Sequence, residues 1–175
     1  LYLRNGVTLT NAITNATAAG AIGAQNGANH LNGTVGLAAV ELRAYVNAGA
    51  SLRLGNTVSG SAAAGSNAIF KFGAGELILG GSNTYTGITV AAGGLLTLDY
   101  GTNNTSKLAD GSALLLGWTT ASNGVAVGLG GDDNVGGLTL SYGLTGGRVD
   151  LKGGSHTDIT SATTLPAGRG YTHTM

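Results

Sequence analysis

Asp132 and Asp133 are the one adjacent acidic pair in the chain, set in Gly130-Gly131-Asp132-Asp133-Asn134-Val135-Gly136-Gly137. Glycosidases need two carboxylates about 5–9.5 Å apart, and polysaccharide lyases group acids around a Lys or Arg base. Calcium takes six to eight oxygens, and the glycine-flanked pair partly matches the calcium nonapeptide Gly-Gly-x-Gly-x-Asp. That nonapeptide works in tandem copies, and here a single imperfect copy stands. A solvated turn is the preferred reading, with Asp132 and Asp133 kept as the calcium candidates. The acids Asp99, Asp110, Asp150 and Asp158 are isolated in the sequence.

Other chemistries find less. His30, His156 and His173 are scattered without the His-x-x-x-His spacing of a metal site. His156 and Asp158 are the nearest approach to a dyad, and a surface role is preferred for each histidine. No Gly-x-Ser-x-Gly elbow occurs, and Gly60-Ser61 and Gly65-Ser66 lie in a small-residue tract. The glycines Gly20, Gly23 and Gly27 are followed by no Lys-Ser or Lys-Thr, so a phosphate loop is excluded. Asn15-Ala16-Thr17, Asn32-Gly33-Thr34 and Asn103-Asn104-Thr105 match the glycosylation sequon. The residues predict no catalytic centre, and the expectation is that the protein is not an enzyme.

The elements that would position any of these groups are short strands. Charged residues make up 9% and aromatics 5% of the chain, against 42% hydrophobic residues, and 33 of 175 residues are glycine. Disorder goes with high charge and few aliphatics, the reverse of this composition. Glycine without a three-residue period excludes collagen and leaves tight turns between strands. Net charge is zero with no basic run, which argues against nucleic acid or an anionic membrane surface as partner. No cysteine is present, and no apolar run reaches the ~18 residues of a membrane span. Leu1 to Gly6 lack a signal-peptide layout, so any export signal is expected to have been removed or to lie outside this segment.

A motif recurs: a small residue or Gly, then x-Leu-x-Leu, then Gly, Ser or Asp. It reads Ala50-Ser51-Leu52-Arg53-Leu54-Gly55, Gly75-Glu76-Leu77-Ile78-Leu79-Gly80 and Gly94-Leu95-Leu96-Thr97-Leu98-Asp99. Further copies are Ser112-Ala113-Leu114-Leu115-Leu116-Gly117, Gly137-Leu138-Thr139-Leu140-Ser141 and the variant Gly147-Arg148-Val149-Asp150-Leu151. Weaker relatives are Val7-Thr8-Leu9-Thr10 and Val40-Glu41-Leu42-Arg43. Ile88-Thr89-Val90 and Val125-Ala126-Val127 read as further brief strands. Alternation at period two marks strands with one buried face. From Leu54 the closing leucines step by 25, 19, 18, 24 and 11 residues. Hairpin-linked sandwiches space strands 8–12 residues apart and fill a thick core with aromatics. The wider steps and the aliphatic core favour a parallel β-helix instead. A helix over Ala16–Ala28 is rejected, since Gly20, Gly23 and Gly27 each cost about 1 kcal/mol there. All 175 residues are expected to form one all-β solenoid segment, repeat-like over residues 40–160, of roughly eight coils and on the order of 40 Å long.

Lys71-Phe72-Gly73-Ala74-Gly75-Glu76-Leu77-Ile78-Leu79-Gly80-Gly81-Ser82-Asn83-Thr84-Tyr85-Thr86-Gly87, running on to Leu98, closely resembles the autotransporter-associated β-strand repeat of bacterial surface proteins. The Lys-x-Gly-x-Gly strand, the Asn-x-Tyr-x-Gly turn and a strand entering Gly-x-Leu-x-Leu occur in that order. Val46–Leu54, running to Gly60, resembles the preceding copy, and Lys107–Gly117 and Gly154–Thr157 resemble stretches of long members. The resemblance implies a right-handed parallel β-helix in an exported, extracellular protein of the bacterial cell surface. Its implied uses are structural support, adhesion and display, without catalytic residues or a cofactor. The alternating lipid-facing strands of an outer-membrane barrel are not visible.

The structural turn is assigned to Asn83, Tyr85 and Gly87. Asn tolerates left-handed backbone and bonds its own chain, and Gly takes positive φ freely. Tyr85 is expected to cap a corner with its hydroxyl in water, and stacked asparagines are expected to form amide ladders. Neither Leu1-Tyr2-Leu3-Arg4 nor Gly170 to Met175 reads as a polar cap. Two arrangements would follow: a piece of a longer passenger, or self-association head to tail through the open ends. The expected function is a structural building block of a surface or matrix fibre. The alternatives are an adhesin segment binding a glycan or cell-surface ligand through Trp118, Tyr85, Tyr100 or Tyr142, and a β-helix polysaccharide-active enzyme using Asp132 and Asp133.

Overall fold

The computed structural model describes residues 1–16, 20–38, 41–61, 67–99 and 107–108, together with strands at 114–116, 125–128, 148–150 and 173–174. Among the described residues there is no helix, and every strand pairing is parallel. The first coil is β1 (Tyr2–Leu3), β2 (Thr8–Leu9) and β3 (Ile13–Asn15). Above it lie β4 (Ala21–Ala24), β5 (Gly27–Leu31) and β6 (Val35–Ala38). The third coil is β7 (Leu42–Val46), β8 (Ala50–Leu54) and β9 (Val58–Ser61). The fourth has β10 (Asn67–Phe72) and β11 (Glu76–Leu79), and closes where Thr86 bridges Ser61. β12 (Ile88–Ala91) and β13 (Gly94–Leu98) open the next. The chain is a β-solenoid of about four turns over this region, with three faces.

The first face runs β1-β4-β7-β10-β12 and continues to β14 (Leu114–Leu116). The second runs β2-β5-β8-β11-β13 and continues through β15 (Val125–Gly128), β16 (Arg148–Asp150) and β17 (His173–Thr174). The third is β3-β6-β9.

The Leu-x-Leu copies stack in register, as their spacing predicts. Leu52 pairs with Leu77 and Leu77 with Leu96, while Leu54 pairs with Leu79 and Leu79 with Leu98. All six are at most 1% exposed. Each such burial stabilises by about 2 kcal/mol relative to exposure, which is how strands of four or five residues become stable. Across the interior they meet Leu42, Ala44, Val46, Ile69 and Ala91 of the first face. A second apolar cluster, Phe70, Val90 and Ala92, occupies the opposite parity of that face, with Phe72 and Ile88 packed against it.

One corner recurs in every coil. Between the first and second faces stand Gly6, Gly27, Gly49, Gly73 and Gly94, with φ of +75°, +71°, +73°, +81° and +68°. A left-handed residue turns the chain sharply there, and glycine adopts it without a Cβ penalty.

Two sequence assignments change. Val40–Arg43 and Ser112–Gly117 read as copies of the second-face motif, yet Leu42 pairs with Ile69 and Leu114 with Thr89, both on the first face. Apolar alternation suits either face, so the pattern alone does not place a strand around the coil. The second-face strand of the second coil is β5, where Asn29 stands beside Leu52. The rejected helix is replaced by β4 and β5 in the described part of residues 16–28.

Candidate functional site

The Asn83–Tyr85–Gly87 turn closes the fourth coil. Hydrogen bonds from Thr84 N to Val58 O and Thr86 N to Gly60 O, each 2.9 Å, hold it one coil above β9. Gly87 takes φ +118°, as expected for its glycine. Asn83 does not ladder with another amide. Its Oδ1 accepts from Val58 N at 2.8 Å and its Nδ2 donates to Lys107 O at 2.6 Å, tying the coil below to residue 107. Asn29 is used the same way: its Oδ1 accepts from Val7 N at 3.1 Å and its Nδ2 donates to Asn26 O at 2.8 Å. Backbone partners win because each coil offers unpaired amide and carbonyl groups at its turns, and leaving these buried and unmade is costly.

Tyr85 is also corrected. It is 0% exposed, and its hydroxyl lies 2.6 Å from Thr89 Oγ1 inside the solenoid. The ring belongs to the same buried cluster as the leucines of the second face. Tyr85 is therefore not available to stack on a glycan.

The charged groups of this region were not read as a set from the sequence. Lys71 is 0% exposed and points into the interior, between Ala44 below and Ala91 above in the ladder. Its Nζ donates to Phe72 O at 2.9 Å, Gly73 O at 2.7 Å and Gly93 O at 2.8 Å. Burial pulls its pKa down from 10.5 to about 8. Lys107, also buried, donates to Gly80 O at 3.1 Å. Burial lowers its pKa too, opposed by Asp99 and assisted by Arg53. Arg53 Nη1 meets Asp99 Oδ2 at 2.5 Å, and Thr97 Oγ1 donates to Glu76 Oε1 at 2.6 Å. The available signal for Lys71 was parity: in Ile69-Phe70-Lys71 it shares its face with a buried isoleucine.

A shallow groove of about 480 Å³ runs along the glycine corner, lined by Gly27, Ala28, Gly49, Ala50, Ser51, Ala74, Gly75, Glu76 and Leu95. Glu76 is the one carboxylate among its described lining residues. On the outer side of the first face, Tyr45 and Phe72 stack at 4.8 Å between centroids and 10° between planes, and Phe70 and Phe72 at 4.2 Å and 9°. His30 is half-buried on β5 beside Thr8 and Arg53. Asn15 is buried with its amide donating to Glu41 O at 2.9 Å, whereas Asn32 is exposed. Asp132, Asp133, Asp110, His156, Asp158, Trp118, Tyr100 and Tyr142 lie outside the described residues. No group of three or more His, Cys, Asp or Glu is arranged to hold a metal ion among the described residues. Nor is any helix among them long and apolar enough to cross a membrane.

No family model, no curated protein and no solved structure matches this chain.

Proposed function

We propose that this chain is a non-enzymatic, structural segment of an extracellular cell-surface or matrix protein. In this proposal it is a right-handed solenoid of roughly eight coils, akin to the passenger-type repeats that residues 71–98 resemble. The supporting observation is the use made of its polar side chains. Lys71, Lys107, Asn29, Asn83 and the Arg53–Asp99 pair each join one coil to another. Groups spent in this way stiffen a rod, and a rod holds whatever it carries away from the cell.

Protease treatment of intact producing cells tests the location: peptides of this chain should appear in the released fraction, and their confinement to lysed cells would overturn the proposal. The purified chain is also to be incubated with acidic and neutral polysaccharides. New reducing ends or unsaturated products that vanish in the Asp132→Asn/Asp133→Asn variant would establish the enzyme instead. Head-to-tail self-association belongs to the same proposal, and light scattering that reports a monomer at every concentration removes that part.

A further inference from the structure

The corner between the fourth and fifth coils concentrates three carbonyl oxygens around one point. Phe72 O and Gly73 O come from the end of β10, and Gly73 is one of the left-handed glycines, with φ +81°. Gly93 O comes from the next coil, immediately before left-handed Gly94. Three carbonyls aimed at one buried point repel one another and are out of reach of water. In the third coil Val46, fully buried, stands at the position that pairs onward to this corner. In the fourth coil a Cβ on Gly73 would lie 2.2 Å from Val46 O and one on Gly75 2.1 Å from Asn47 O, so the chain closes tightly on the coil below, and the Lys71 ammonium reaches the carbonyls on its other side. Ala44 and Ala91, its ladder partners, are small enough to let the stem pass. An ammonium carries three donors and no acceptor, so its three protons match the three oxygens one to one. Among the described residues, Lys71 donates to these three carbonyls and to no carboxylate.

We propose that this corner is a cation-binding cradle spanning two coils, and that the Lys71 ammonium is its resident cation. The site is selective for a primary ammonium, which donates in three directions from one nitrogen. Removing the lysine exposes a site for a free alkylammonium ion of matching length.

The test uses the whole chain with Lys71→Ala and Lys71→Met. Alanine keeps Cβ, so propylammonium restores the missing atoms. Thermal unfolding of Lys71→Ala should shift upward by several degrees as propylammonium chloride is added, with saturation. Tetramethylammonium and propanol at the same concentration should produce no such shift. Lys71→Met should unfold below the parent in all three. A Lys71→Ala protein that responds equally to the three additives, or a Lys71→Met protein as stable as the parent, overturns the proposal. A readout on the unchanged chain stands beside these. Nitrogen-15 NMR should show a slowly exchanging ammonium, distinct from that of buried Lys107, that disappears in either variant. If all three lysines exchange as fast as free lysine, the cradle is not there.

Discussion

Arg53, on the outer side of β8, bonds Asp99 at 2.5 Å across 46 residues and two coils. The guanidinium crosses Gly80 on the way: a Cβ built there would lie 2.4 Å from Nη2. Two coils amount to roughly 10 Å along the axis, a span that the extended arginine bridges only together with the aspartate side chain reaching toward it. The pair therefore closes only when β8, β11 and β13 are stacked in one register. Both side chains are about one-fifth to one-quarter exposed, so solvent weakens the attraction without abolishing it.

Asp99→Asn should cost about 1 kcal/mol in urea unfolding, and the loss should shrink as salt is raised. On a Gly80→Ala background the added methyl pushes the guanidinium aside. There Asp99→Asn should cost measurably less, a coupling that a double-mutant cycle reads directly.

Two glycines of the same corner separate backbone strain from crowding. Gly49 has φ +73° with nothing within 4 Å of a built Cβ, so Gly49→Ala should cost only the left-handed penalty of about 1 kcal/mol. Gly94 has φ +68°, but its Cβ would meet Gly75 O and Gly73 O. Gly94→Ala should cost about 3 kcal/mol or more, because backbone atoms cannot move aside as a side-chain tip can. Equal chemical-denaturation midpoints for the two variants would contradict the stacked geometry.

Tyr85→Phe removes the hydroxyl that meets Thr89 and should cost about 1–2 kcal/mol, since the buried threonine loses this partner. Adding Thr89→Val should recover part of the loss. Tyr85→Ala leaves a cavity and should cost about 4 kcal/mol. Calorimetry of the three variants gives the ordering.

Lys71 makes stability depend on alkaline pH. Its folded pKa is about 8 and its ordinary value 10.5, so between these pH values the unfolded chain holds more protons than the folded one. Stability then rises with pH across this window. Below pH 8 the full cost of burying the charge is present, about 3 kcal/mol at 1.36 kcal/mol per pH unit. Comparison with Lys71→Met, which lacks the group, isolates the effect. The stability difference between parent and variant should be flat below pH 8 and should move in the parent's favour from pH 8 to 10.5.

Much of this architecture was legible in the residues. The Leu-x-Leu copies ending at Leu54, Leu79 and Leu98 were identified with their register, and each lies on its neighbour. Gly87 was assigned its left-handed turn correctly. Placement around the coil was not legible, because the alternation of Leu42-Arg43-Ala44 or Leu114-Leu115-Leu116 satisfies any face that is half buried. Nor was the fate of Tyr85. Its ring and hydroxyl suit a wet corner as well as an interior, and the interior supplies Thr89 Oγ1 as the hydroxyl's partner.

The amino-acid order by itself determined that short parallel strands would alternate with glycine turns and would be stable only when stacked. That follows from period-two apolar spacing, low charge and glycine at corners, all of them properties of neighbours along the chain. Tertiary structure alone decided which polar groups meet: Arg53 with Asp99, Asn83 with Lys107, Lys71 with Gly93. Those partners lie 46, 24 and 22 residues apart. Each contact depends on how many residues every turn consumes, a length that is set only when one coil closes on the one beneath it.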